Sequence, residues 1–154
     1  MQCAVIDIGS NSMRLTVYDA EKTVFKILFK EKIMAGLAGY VENGMLSHEG
    51  IECACQGLIE FKERLRLLNI QNVSVFATAS LRNISNTQEA LLQIYSATGF
   101  SLEVISGKDE AFYGYTGAML DLSLSDGIFV DIGGDSTEMY LVFLFRSVVA
   151  AMMN

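Results

Sequence analysis

Two short stretches near opposite ends of the chain carry the same residues in the same order. Ile6-Asp7-Ile8-Gly9-Ser10-Asn11-Ser12 aligns without a gap on Val130-Asp131-Ile132-Gly133-Gly134-Asp135-Ser136. In each copy an apolar run carries an aspartate next to its last residue, an isoleucine, and a turn rich in glycine and serine follows. Such a turn points successive backbone N–H groups into one concavity, which is a nest for an anion. Glycine lets the backbone approach a phosphate closely, and Ser10, Ser12 and Ser136 add hydroxyl donors. Asp7 or Asp131, at the end of the preceding strand, could hold Mg²⁺ through water or orient an attacking water. One copy alone is an ordinary hairpin with turn residues where a turn needs them. Two copies point to a pair of phosphate-gripping turns.

Three further residues could take part in that chemistry. Glu110 lies in Ser106-Gly107-Lys108-Asp109-Glu110-Ala111, where Ser106 and Asp109 form the cap of a helix. A carboxylate there is favoured by the helix dipole, so capping alone explains Asp109 and Glu110. The functional alternative makes Glu110 a general base that activates water against a terminal phosphate. Arg82, in Ala77-Thr78-Ala79-Ser80-Leu81-Arg82-Asn83, follows a strand end. Its guanidinium could clamp phosphate oxygens in pairs, or simply be a surface group. His48, the single histidine, sits beside a helix cap and reads as a surface residue.

The elements that must position these residues follow from apolar periodicity. Ala4–Ile8, Met13–Val17 and Val24–Lys32 read as strands, the first two closing a hairpin around the first turn. A glycine-bearing loop leads to Ser47, an N-cap for an amphipathic helix over 48–68. Val73–Ala77 is a buried strand. Asn86 and Glu89 form a capping-box pattern that opens a second helix, closed by Gly99. Leu102–Ile105 is a strand, a third helix runs to about Leu120, and Ile128–Ile132 with Thr137–Phe143 forms the last hairpin. The order β-β-β-α-β-α-β-α, then β-β, is an α/β layer architecture.

Composition narrows the partners. A net charge of −7 over 154 residues leaves no basic stripe for nucleic acid. A bound polyanion must therefore be held locally, by aimed amides, a few cations or a metal. Cys3, Cys53 and Cys55 have neither zinc-site nor redox-motif spacing and read as reduced thiols. The start of the chain lacks the pattern of a signal peptide. The apolar tail Met139–Met153 is interrupted by Arg146 and Ser147, and reads as a buried strand followed by a docked helix rather than a membrane span. The expectation is a cytoplasmic protein that binds neither nucleic acid nor membrane.

The chain resembles the exopolyphosphatase/guanosine pentaphosphate phosphatase (Ppx/GppA) family. The resemblance rests on AVIDIGSNSMRLTVYD at 4–19, ATASLRN at 77–83, VISGKDEA at 104–111 and VDIGGDSTE at 130–138. It implies an α/β fold of the ribonuclease-H-like, actin-like ATPase superfamily, with two such domains and the site in the cleft between them. Residues 1–124 would be the N-terminal subdomain. Residues 125–154 would be the first hairpin of a truncated second one plus the apolar tail. The implied activity is hydrolysis of phosphoanhydride bonds in inorganic polyphosphate or guanosine pentaphosphate, with Mg²⁺.

By motif position the resemblance makes Glu110 the catalytic base. It makes Asp131 and Glu138 the acidic residues near water and metal, and Arg82 a phosphate ligand. Asp7, Gly9, Ser10, Asn11 and Ser12 would form the first phosphate loop, and Gly133, Gly134 and Ser136 the second. Asp135 stands where the family usually has a third glycine, and its charge is expected to weaken phosphate binding. Family members continue through the rest of the second domain, so the apolar end is expected to support a homodimer. Two other functions fit the same residues: a non-catalytic phosphate- or nucleotide-binding fragment, and an actin-like kinase or ATPase.

Overall fold

Alternating buried and less buried residues along the first two strands, as far as Val17, begin the sheet on which everything else rests. In the computed structural model, β1 (Gln2–Ile8) buries Ala4, Ile6 and Ile8, and β2 (Met13–Glu21) buries Met13, Leu15 and Val17. This is the two-residue period of strands with one face in a core. The structure describes residues 1–21, 24–120, 126–134, 136–143 and 146–152.

The chain divides into two compact units, Met1–Val104 and Ile105–Asn154. In the first, β3 (Val24–Ile33), β6 (Val73–Ala77) and β7 (Glu103–Val104) complete a five-stranded sheet in the order β3-β2-β1-β6-β7. The β1–β2 and β2–β3 pairs are antiparallel, and β1–β6 and β6–β7 are parallel. Helix α1 (His48–Leu67) sets Ile51, Ala54, Leu58, Phe61 and Leu65 into the core, and α3 (Thr87–Thr98) adds Ala90 and Ile94. The Ser47 hydroxyl accepts from the Gly50 amide at 3.2 Å and caps α1 as its sequence predicts. A Cβ on Gly50 would stand 2.6 Å from both Leu46 Cδ1 and Tyr40 Cβ, so the first turn of α1 can approach that loop only as glycine.

The glycine-bearing loop holds more structure than its composition suggests. A 3-10 turn, Leu37–Tyr40, is followed by a small hairpin of β4 (Val41–Glu42) and β5 (Met45–Leu46). Asn86 occupies the N-cap of α3 but makes no side-chain cap bond. Its amide brackets Leu46 instead, donating to the Leu46 carbonyl and accepting from the Leu46 N–H, each at 3.0 Å. The capping box is therefore not formed. The end of β5 offers Asn86 a donor and an acceptor together, and its own backbone (φ −103, ψ 28) is not the extended one that a capping side chain uses. Glu89 accepts from Gln93 one turn on. Gly99, at φ 75, closes α3 as predicted.

The second unit pairs β8 (Gly127–Ile132), β9 (Thr137–Phe143) and β10 (Arg146–Met152) in an antiparallel sheet, with α4 (Gly107–Ala118) packed on β8 and β9. Strand β10 corrects the expected docked helix at the apolar end. Its valine pair, Val148 and Val149, favours a pleated strand, and β9 offers a free edge for it to join. Among the described residues no helix is long and apolar enough to cross a membrane.

Candidate functional site

The two aspartate-led turns have one geometry. In the first unit Ile8 pairs with Met13 to end the β1–β2 ladder, and the Gly9 N–H donates to the Ser12 carbonyl at 3.0 Å. In the second, Ile132 pairs with Thr137, and the Gly133 N–H donates to the Ser136 carbonyl at 2.8 Å. A Cβ would stand 3.1 Å from the Ser12 oxygen at Gly9 and 3.2 Å from the Ser136 oxygen at Gly133. The glycine shared by both motifs thus lets the turn approach itself more closely than a side chain would comfortably allow.

The first turn is also held from outside. The Ser10 carbonyl accepts from the Ala38 amide at 3.0 Å and the Asn11 carbonyl from the Gly36 amide at 2.9 Å. A trans peptide sets its N–H opposite its C=O. Tying back those two carbonyls therefore aims the Asn11 and Ser12 amides away from the 36–38 segment. Two consecutive amides aimed alike are the start of an anion nest. Ser10 and Ser12 are buried in the turn, whereas Asn11 is exposed.

Arg82 is brought to the same end of the sheet. β6 runs parallel to β1 as far as the Ile8↔Ala77 pair. The Ile8 carbonyl then accepts from the Thr78 amide at 3.2 Å and from the buried Ser80 hydroxyl at 3.0 Å. This clamp starts a four-residue helix, α2 (Ala79–Arg82), whose last residue is the half-buried Arg82. Asp7, also half-buried, lies one residue before the clamp and opposite Arg14. The turn and α2 thus follow the carboxyl ends of adjacent parallel strands, where α/β sheets place their ligands. Sequence reasoning missed Ser80, whose signal is a small hydroxyl directly after a buried strand.

The second unit gathers the acidic residues. Asp131 and Glu138 are directly opposite each other on β8 and β9, so their side chains share one face. Glu138 is buried and Asp131 exposed. Glu110 lies in the first turn of α4, where the Ser106 hydroxyl accepts from the Asp109 amide at 3.1 Å and donates to its carboxylate at 2.6 Å. The helix docks through Ala111, and Tyr115 stacks on Tyr140 with centroids 4.3 Å apart and 11° between planes. One turn beyond Glu110, on the same helix face, is Gly114. A Cβ there would meet Phe129 Cε1 at 3.2 Å and Asp131 Oδ2 at 3.4 Å. Gly114 is what allows Asp131 to lie against the helix that carries Glu110, and a glycine inside a helical pattern was its only signal.

Gly133 and Gly134 are exposed in the second turn and Ser136 is half-buried; Asp135 lies outside the described residues. Among the described residues no group of three or more His, Cys, Asp or Glu could hold a metal ion. The Asp131–Glu138 pair does fit Mg²⁺, which asks one or two carboxylates of a protein and fills its shell with water and substrate oxygens. The cysteines are free, and burial pushes the Cys55 thiol up, so it is a poor nucleophile.

The model of the Ppx/GppA phosphatase family matches residues 16–151. The chain belongs to this family. An Aliivibrio fischeri relative, named guanosine-5'-triphosphate,3'-diphosphate pyrophosphatase, is 36% identical over 144 residues. That match covers 90% of this chain and 28% of the relative, so the chain spans less than a third of that protein. A Ppx/GppA family member from Aquifex aeolicus is 30% identical with a TM-score of 0.83, covering 99% of this chain and 51% of that one. An exopolyphosphatase from Cytophaga hutchinsonii is 26% identical with a TM-score of 0.89, covering 99% and 50%. The chain thus has the α/β, ribonuclease-H-like fold of the actin-like ATPase superfamily that its motifs led us to expect.

Gly114→Val tests the Asp131 contact. Helix propensity alone would make valine slightly better than glycine. Overpacking against Phe129 and Asp131 is expected to reverse that and destabilise the protein by about 1–3 kcal/mol in chemical denaturation.

Proposed function

We propose that this chain provides the phosphate-binding turns and the acidic residues of a phosphoanhydride hydrolase acting on inorganic polyphosphate or guanosine pentaphosphate. The reading is carried by one observation, the same Gly–Ser hydrogen bond closing both aspartate-led turns. Family membership supports it, and the relatives' names supply the substrate classes. In this proposal the turn at Gly9, Ser10, Asn11 and Ser12, with Arg82, holds oxygens of one phosphate. The turn at Gly133, Gly134 and Ser136 holds those of another. Asp7 braces the first turn.

Glu110 accepts a proton as a water oxygen attacks the terminal phosphorus. The P–O bond to the bridging oxygen breaks, and the shortened chain leaves with that oxygen. Asp131 and Glu138 orient the water and would hold Mg²⁺, whose charge offsets that of the phosphate oxygens. Little covalent help is needed, because the reaction depends on positioning and charge neutralisation.

The proposal assigns residues 1–124 to the N-terminal subdomain and 125–154 to the opening of a second. It also places the protein in the cytoplasm, in keeping with three free cysteines, and without nucleic-acid or membrane partners. A homodimer is proposed through the apolar face of β8, where Ile128, Val130 and Ile132 are 55%, 46% and 78% exposed.

Glu110→Gln is expected to lower phosphate release from polyphosphate with Mg²⁺ by about 10²–10⁴-fold while leaving binding intact. Equal release from both proteins rules out the assigned base. Light scattering is expected to give the mass of a dimer, and a monomer mass overturns that part.

A further inference from the structure

The two faces of the β2–β3 pair are sorted by charge. Met13, Leu15 and Val17 point into the core, so Arg14 and Thr16 take the opposite face. The register sets Lys32 opposite Arg14 and Lys30 opposite Thr16. Glu31, between the two lysines, turns to the core side, where Arg64 Nε lies 3.3 Å from its carboxylate. The carboxylate between the two lysines is thereby removed from the outer face, where Asp7, opposite Arg14 on β1, is the neighbouring acid. Arg14, Lys30 and Lys32 are all exposed there. Among the described residues none of the three is in an ion pair.

The position of this row is as telling as its sign. Strand β2 starts at Met13, directly after the first turn, so Arg14 is two residues from Ser12. Cations about 5 Å apart across the strands and about 7 Å apart along them then lead away from the turn. Beyond Thr16 the ladder is interrupted between Val17 and Tyr18, and the face turns apolar with Tyr18 against Phe25. The row is thus a short, bounded strip on a chain with a net charge of −7. A single phosphate needs only the turn. A strip that starts at that turn with Arg14, opposite Asp7, and continues on Lys30 and Lys32, neither of them opposite an acid, suits an anion that repeats.

We propose that Arg14, Lys30 and Lys32 hold the following phosphates of a linear inorganic polyphosphate whose end lies in the Gly9–Ser12 turn. This rests on the reading of that turn as a phosphate site, and it makes binding depend on chain length.

The test compares long-chain polyphosphate with pyrophosphate, binding to the full chain and to Lys30→Gln/Lys32→Gln. Long-chain binding is expected to weaken roughly tenfold and to lose about one unit of its log–log salt slope, while pyrophosphate binding is unchanged. Lys26→Gln, which removes a charge opposite Asp19 and outside the row, is expected to change neither. The proposal is overturned if the double variant binds both probes like the parent, or loses both equally. It is likewise overturned if the parent shows no preference for the long chain. Phosphate release, followed in the same samples and in Glu110→Gln, separates the two ideas. Lysine-dependent binding without Glu110-dependent release upholds the strip and removes the hydrolase reading. Glu110-dependent release with lysine-independent binding does the reverse.

Discussion

One backbone hydrogen bond, from a glycine N–H to the carbonyl of the serine three residues on, sets the form of both turns. It closes Gly9 on Ser12 and Gly133 on Ser136, and at each glycine a Cβ would be crowded against that carbonyl. The strand ladders therefore end at the same place in both hairpins, with an isoleucine as the last residue of the incoming strand. The aspartate one residue earlier is then set at the same height below each turn. In the first unit the tie of the Ser10 and Asn11 carbonyls to Ala38 and Gly36 completes the arrangement, because trans peptide geometry converts it into aimed amides.

The shared backbone makes the difference in side chains easy to see. Asp7 faces Arg14 across its ladder, whereas Asp131 faces Glu138 at the equivalent place. Opposite charges below the first turn offset each other, and the cations continue onto β3. Like charges below the second attract a cation or a proton-bearing water. Under the proposed function the same fold element would serve two electrostatic tasks, set by one residue in each copy. Phosphoryl chemistry needs both, since the anion must be held while its charge is neutralised.

Much of this was legible in the sequence because strand period, glycine and cap residues act locally. The paired motifs, the β1–β2 hairpin, the Ser47 and Ser106 caps and the Gly99 stop all depend on residues within a few positions of each other. What escaped depends on distant partners. Asn86 has the sequence of a capping box, yet Leu46, forty residues away, offers its amide a better pair of bonds. The apolar end reads as a strand followed by a docked helix until β9 presents an edge for 146–152 to join. Gly114 looks like an unfavourable residue in a helix until Phe129 and Asp131 are found against it. Arg14 becomes part of a charged strip only once the register with β3 is known.

Amide NMR during a titration with pyrophosphate and Mg²⁺ tests the central claim, that both turns bind phosphate through their backbones. The account predicts the largest shifts at the amides of residues 9–12 and 133–136, with slower amide exchange at Asn11 and Ser12. Saturable binding that leaves both turns unshifted, or shifts centred on another part of the chain, would contradict it.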